Sequence, residues 1–210
     1  VERGRGPHRD GVTRQRRGEE TARRLLDTAL AVYADDGPQG FTMRAVTGRG
    51  GISVGSLYHH FGSFPGLATA LYSACLADLL DALVEAVEGV DDPRAGVRAI
   101  VVAYLGFVRE HPAKARFIHA SPYLGHVEPG AAAAAKTPRL DALVAWLRPH
   151  VASGAIAGLP VPVIEILLIG PVAEATRRWI AGAPEADLDE AARLLPEPIW
   201  QSLRRHPPAS

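Results

Sequence analysis

Apolar residues in this chain recur every three or four positions, and no segment alternates them at every second one. That periodicity excludes half-buried strands and predicts an all-α fold of about nine amphipathic helices. Ala22, Leu25, Leu26, Ala29, Leu30 and Tyr33 form the first apolar face, which "DDGPQG" terminates. Thr42 is placed to cap a short second helix with Met43, Val46 and Thr47 inward, and "GRGG" stops it. Ser53 then caps a third helix with Leu57, Tyr58 and Phe61 at helical spacing. Ser63 caps a fourth, with Pro65 in the first turn, where a missing N–H is tolerated. It runs to about Glu88, and Leu79, Leu80, Leu83, Val84 and Val87 make its second half apolar on more than one face, so it should be packed on two sides.

The remaining helices read the same way. "DDP" opens a fifth with Val97, Ile100, Val101, Tyr104, Leu105 and Val108 as its stripe, and "HPAKARFIHA" gives a sixth. "SPYLGHVEPG" reads as a loop. Ala131 to Val151 and Pro162 to Ile180 are helical, and Asp187 to Arg205 closes the pattern with breaks at Pro196 and Pro198.

Charge is distributed unevenly along a chain whose formal net charge is zero. Residues 1–17 carry six arginines against two acids and show no periodicity, so residues 1–18 are expected to be a flexible basic arm. A basic end fits a nucleic-acid or membrane-surface role, and fits a solvated tail equally. A lone cysteine, Cys75, excludes an internal disulfide framework and suits a reducing, cytoplasmic setting. No uninterrupted apolar run reaches the roughly 18 residues of a membrane span. The longest, "LPVPVIEILLIGPVA", is broken by prolines and Glu165, and the Arg-rich start lacks the apolar core of a signal peptide.

No catalytic, metal or cofactor constellation emerges. His59 and His60 are adjacent on a helix and point about 100° apart, so they cannot share an ion. His111, His119 and His126 are scattered, Cys75 sits among apolar neighbours, and Ser53, Ser56 and Ser63 read as capping and turn serines with no "GxSxG" around them.

The two short helices joined by "GRGGIS" fit a helix-turn-helix. In that motif the first helix crosses the DNA backbone and the second puts its N-terminal residues into the major groove. Gly51 is placed for the positive φ that such a turn needs, and Val46, Ile52 and Leu57 would lock the pair from inside. The stretch "TMRAVTGRGGISVGSLYHHFGSFPGL" resembles the DNA-binding signature of TetR-family transcriptional regulators, and "ARRLLDTALAVYADDG" resembles the family's first helix. The resemblance covers about residues 22–72. A weaker likeness lies in "GPVAEATRRWIAG" and "LPEPIWQSL", which are similar to the last two helices of many members.

The resemblance implies a DNA-binding domain over residues 19–63 and a ligand-binding and dimerisation bundle over 64–210. It assigns DNA contacts to Thr42 and Arg44 on the second helix, and to Ser53, Val54, Gly55, Ser56, Tyr58, His59 and His60 on the third, leaving Leu57 and Phe61 to the core. It also implies a homodimer through the last two helices, a palindromic double-stranded operator, and a repressor released by a small hydrophobic effector. The chain departs from the pattern at Val54, where a polar or basic residue is frequent, and at Phe64, where a Lys often grips phosphate. Ala45, Thr47 and Gly48 depart likewise. Weaker backbone anchoring should follow, unless Val54 contacts a thymine methyl. With no formal charge in "GISVGSLYHHFGS", long-range attraction falls to Arg23, Arg24, Arg44, Arg49 and the arm.

In the second region Tyr104, Phe107, Phe117, Tyr123, Trp146 and Trp179 are available as pocket walls. Glu165 interrupts an apolar helix, which leaves three readings: a pair with an arginine across an interface, a solvent-facing edge, or contact with a polar or cationic ligand.

Overall fold

The computed structural model describes residues 8–120 and 133–205. It contains ten helices among them: α1 (His8–Gly40), α2 (Met43–Gly50), α3 (Val54–Phe61), α4 (Phe64–Val87), α5 (Pro93–Glu110), α6 (Pro112–Ala120), α7 (Ala133–Ala152), α8 (Val161–Ile180), α9 (Leu188–Leu194) and α10 (Pro196–Leu203). No strand occurs among the described residues, only an isolated antiparallel bridge between Ile156 and Arg204. The chain divides into two compact units, and the division falls inside α4, between Tyr72 and Ser73, rather than at its start.

The helix starts are where the capping residues put them. Thr42, Ser53, Asp92 and Asp187 each accept a hydrogen bond from a first-turn amide through the side chain, and Ser63 Oγ accepts from Gly66 N at 2.9 Å. The α1 stop is equally local. Gly37 has φ 66°, which a side chain would strain, so regular helix ends there before Pro38.

Within the first unit, Leu25, Ala29, Val32 and Tyr33 of α1 are buried with Val46, Leu57, Leu67 and Leu71. Phe41 lies edge-on to Tyr33 at 5.7 Å and packs against Phe64 at 5.0 Å, so the first turns of α4 share this core. That explains why the unit boundary lies within α4. The stretch expected as a flexible arm differs: α1 begins at His8, so residues 8–18 are helical, and residues 1–7 lie outside the described residues. Helix here is carried by residues without an apolar face, and periodicity had nothing to register.

In the second unit α5 is central, packing against α6, α8, α9 and α10. Its entire predicted stripe is buried. The break at Pro196 separates α9 from α10 as the sequence suggested. By length and composition α4 is apolar enough to cross a membrane, contrary to the expectation that no run would be. Small and aliphatic residues with few charges fill it, and half of its most apolar window is buried inside the protein, as in a core helix.

Candidate DNA-reading face and candidate ligand cavity

The α2–turn–α3 segment is held by a small set of local interactions. Ala45 N donates to Thr42 Oγ1 at 3.2 Å, and Ser56 N donates to Ser53 Oγ at 3.1 Å. Both hydroxyls keep a proton to donate outward. Gly51 takes φ 58°, ψ 29°, and the turn closes with Gly51 N donating to Gly48 O and Ile52 N to Thr47 O. Val46 and Leu57 are completely buried, which fixes the two helices on each other from the inside.

The outer side of α3 is then determined. Val54, Gly55, Tyr58 and His59 stand at i, i+1, i+4 and i+5, one contiguous face with Leu57 on the other side of the helix. All four are exposed; Val54 and Tyr58 are large apolar residues left 43% and 50% accessible. Thr42, Arg44 and Ser53 are exposed as well, whereas Ser56 and His60 are half-buried. His60 turns toward α1: its Cε1 lies 3.8 Å from where a Cβ on Gly18 would stand, and its ring neighbours Phe61. Arg49, expected to attract DNA, donates to Asp35 at 2.7 Å and is 3.6 Å from Asp36, so its charge is locally offset. Arg23, Arg24 and Arg44 remain exposed cations.

The second unit encloses a cavity of about 220 Å³ between α4, α5, α6, α7 and α8. All but three of the described lining residues are Leu, Ile or Val; the exceptions are Tyr104, Trp146 and Glu165. Glu165 and Val161, one turn apart on α8, are the exposed members and mark its rim. Tyr104 Oη and His119 Nε2 share a hydrogen bond at 3.1 Å behind the wall. Trp146 Nε1 donates to Val90 O at 2.8 Å, and the indole lies directly on Gly96.

Phe107 and Phe117 are not in this wall, contrary to expectation. Both are buried elsewhere in the packing, Phe107 with its ring 4.9 Å from that of His111. Trp179 is also outside the lining, and Tyr123 lies outside the described residues. What the sequence reading missed were the aliphatic walls, above all Leu76, Leu79, Leu80 and Leu83; the two-sided apolar character of α4 was the signal for them.

Cys75 and His119 have strongly shifted protonation. Burial pushes the Cys75 thiol up to about 12, which leaves it unreactive. Burial, reinforced by the Arg177 charge, pulls His119 down to about 4 from an ordinary 6.5. The unfolded chain therefore takes up this proton first, so the contribution is whole above pH 6.5 and is lost as pH falls toward 4. After allowance for solvent screening, about 1–2 kcal/mol is at stake. Urea titrations at pH 7 and 5.5 should show a larger loss for the native protein than for His119→Gln; equal losses would remove His119 as the cause.

Among the described residues, a capped, glycine-turned helix pair in one unit and an apolar cavity in the other define an all-helical, helix-turn-helix class of fold. The family description "Bacterial regulatory proteins, tetR family" matches residues 25–71, the stretch that holds the helix pair. Over 77 residues it is 36% identical to the HTH-type transcriptional repressor KstR2 of Rhodococcus jostii (strain RHA1), a match spanning 37% of this chain and only 38% of that regulator's length. The likeness to the HTH-type transcriptional activator FasR of Mycolicibacterium smegmatis is longer and weaker, 26% over 199 residues, covering 92% of this chain and 85% of that one. In fold, the chain matches a TetR family transcription regulator from Marinobacter aquaeolei VT8 with a TM-score of 0.74 at 20% identity, over 91% of this chain and all of that one. These relatives are transcription regulators, not enzymes.

Proposed function

We propose that this protein is a ligand-responsive, sequence-specific DNA-binding transcriptional repressor. The observation that carries the reading is the exposed face of Val54, Gly55, Tyr58 and His59, presented on a helix pinned from behind by Leu57. Phosphates meet the Thr42 and Ser53 hydroxyls, the Tyr58 phenol, His59 and the amides opening α3, while Arg44 supplies charge. Gly55 and Ser56 allow close approach of the backbone to base edges, Val54 meets a thymine methyl, and His60 supports the face from its position beside α1.

Two copies reading a palindrome are favoured by the surface of α8, where Val163 and Ile166, neighbours on one side of the helix, are exposed, Ile166 by 67%. Such a patch suits an isologous interface with α8 and α10. A small hydrophobic effector in the cavity would act through α4, whose residues belong to both units, and lowers operator affinity only if it prefers the non-binding arrangement.

The test is fluorescence anisotropy with duplexes from the region upstream of the protein's own gene, against scrambled competitor, over a range of salt. Sequence-selective, salt-dependent binding is expected. Tyr58→Ala should weaken it by about 1–3 kcal/mol with helix content intact. Arg44→Ala should reduce the salt slope by about one. Binding that ignores both sequence and Tyr58 would refute the assignment.

A further inference from the structure

Among the described residues, the charge in the cavity is of one sign only. The wall they form holds aliphatic side chains, two aromatic rings and the Glu165 carboxylate, and no Lys, Arg or His. The polar atoms of both aromatics are already engaged, Trp146 Nε1 with Val90 O and Tyr104 Oη with His119. Glu165 differs from the other acid of its helix. Glu174, about two and a half turns on, is tied to Arg177 at 2.7 Å and Arg178 at 2.9 Å, whereas Glu165 has no ion pair or hydrogen bond among the described residues. An uncompensated carboxylate on the rim of an apolar cavity favours a cation beside it and opposes a second anion.

We infer that the cavity takes a lipophilic cation: an apolar body within the aliphatic walls, with an ammonium-type charge at the rim against Glu165. This rests on reading the cavity as the effector site, and it narrows the ligand from hydrophobic to hydrophobic and positively charged. Tyr104 and Trp146 add to the preference, since aromatic rings in a poorly hydrated wall attract cations. A fatty carboxylate fits the walls equally well by shape, but brings its charge to the wrong partner. Selectivity between the two therefore comes from Glu165, while the aliphatic walls set the affinity common to both.

Three probes of equal chain length separate these contributions: decyltrimethylammonium, 1-decanol and decanoate, each titrated calorimetrically below its aggregation concentration. The ammonium compound should bind at least tenfold more tightly than the alcohol, and the alcohol more tightly than decanoate. Glu165→Gln should erase the advantage of the cation while leaving decanol affinity within about twofold, Glu165→Asp should keep the ranking, and Glu88→Gln, an exposed acid outside the cavity, should change nothing. Glu165 is exposed, so the substitution leaves the fold in place. Decanoate binding as tightly as the cation overturns the inference, and so does a preference that survives Glu165→Gln. Failure of all three probes to bind overturns it too, and with it the cavity as effector site. Sequence-selective DNA binding by the ligand-free protein is measured separately and would stand in each of these cases.

Discussion

Replacing Leu57 with alanine is expected to destabilise the first unit by about 2–5 kcal/mol and to abolish operator binding. Leu57 is wholly buried on the inner side of α3, next to a wholly buried Val46. Each of α2 and α3 is only eight residues long, too short to persist as an isolated helix in water. Both therefore exist because their inner faces are packed. A cavity in place of the Leu57 side chain removes that support from the inner face of α3, and unit cores of this size have little stability to spare. The neighbouring residue is the control. Tyr58 is half exposed on the opposite face, so Tyr58→Ala should leave stability within about 0.5 kcal/mol while costing binding. Hydrogen exchange followed by mass spectrometry distinguishes the two: α1–α3 amides should lose protection in the Leu57 variant and keep it in the Tyr58 variant. Unchanged protection in Leu57→Ala, with DNA binding within twofold of wild type, would mean that the inner face does not position the reading face.

The contrast between these adjacent residues was legible in the sequence because both its causes are local. Helical spacing puts Leu57 and Tyr58 on different sides, and Ser53 and Gly51 fix where the helix begins and how the chain enters it. Cap chemistry and periodicity act over a few residues, so they can be read without knowing what lies across the core. Where partners come from far along the chain, the sequence was silent. Arg49 is expected from the sequence to supply long-range attraction for DNA, but its partners Asp35 and Asp36 lie one helix earlier. Arg94 and Glu197 pair at 2.7 Å across 103 positions, a contact no local pattern encodes. The cavity shows the same division. Tyr104, Trp146 and Glu165 were among the residues expected to line it, and the structure puts them there, but Phe107 and Phe117 are equally aromatic and equally helical and fill the interior instead. Composition identifies what can line a cavity; only the packing of α5 and α6 against their neighbours decides which side of each helix does.

Gly96→Ala should be the most informative change in the second unit, because propensity and packing give it opposite signs. Alanine inside a helix is favoured over glycine by about 1 kcal/mol, so at an open site the substitution would stabilise α5. At Gly96 the new methyl would overlap Cζ2 of Trp146. The indole cannot simply rotate aside, since its Nε1–H is bonded at 2.8 Å to Val90 O, just before the Asp92 cap that opens α5. Displacing it costs roughly 1–3 kcal/mol in overpacking and another 1–3 kcal/mol if the donor is left buried and unpaired. Against the propensity gain, a net loss of about 1–3 kcal/mol in stability is expected. Trp146 also forms part of the cavity wall, so the variant should bind apolar ligands differently from wild type. The decisive comparison is a double-mutant cycle. In a Trp146→Ala background the obstruction is gone, and Gly96→Ala should turn stabilising by about 0.5–1 kcal/mol. Urea denaturation of the four proteins measures this directly. A penalty at Gly96 that persists without the indole would show that the backbone, rather than Trp146, demands glycine there; a change of sign would establish that the small residue on α5 exists to seat the tryptophan that walls the cavity.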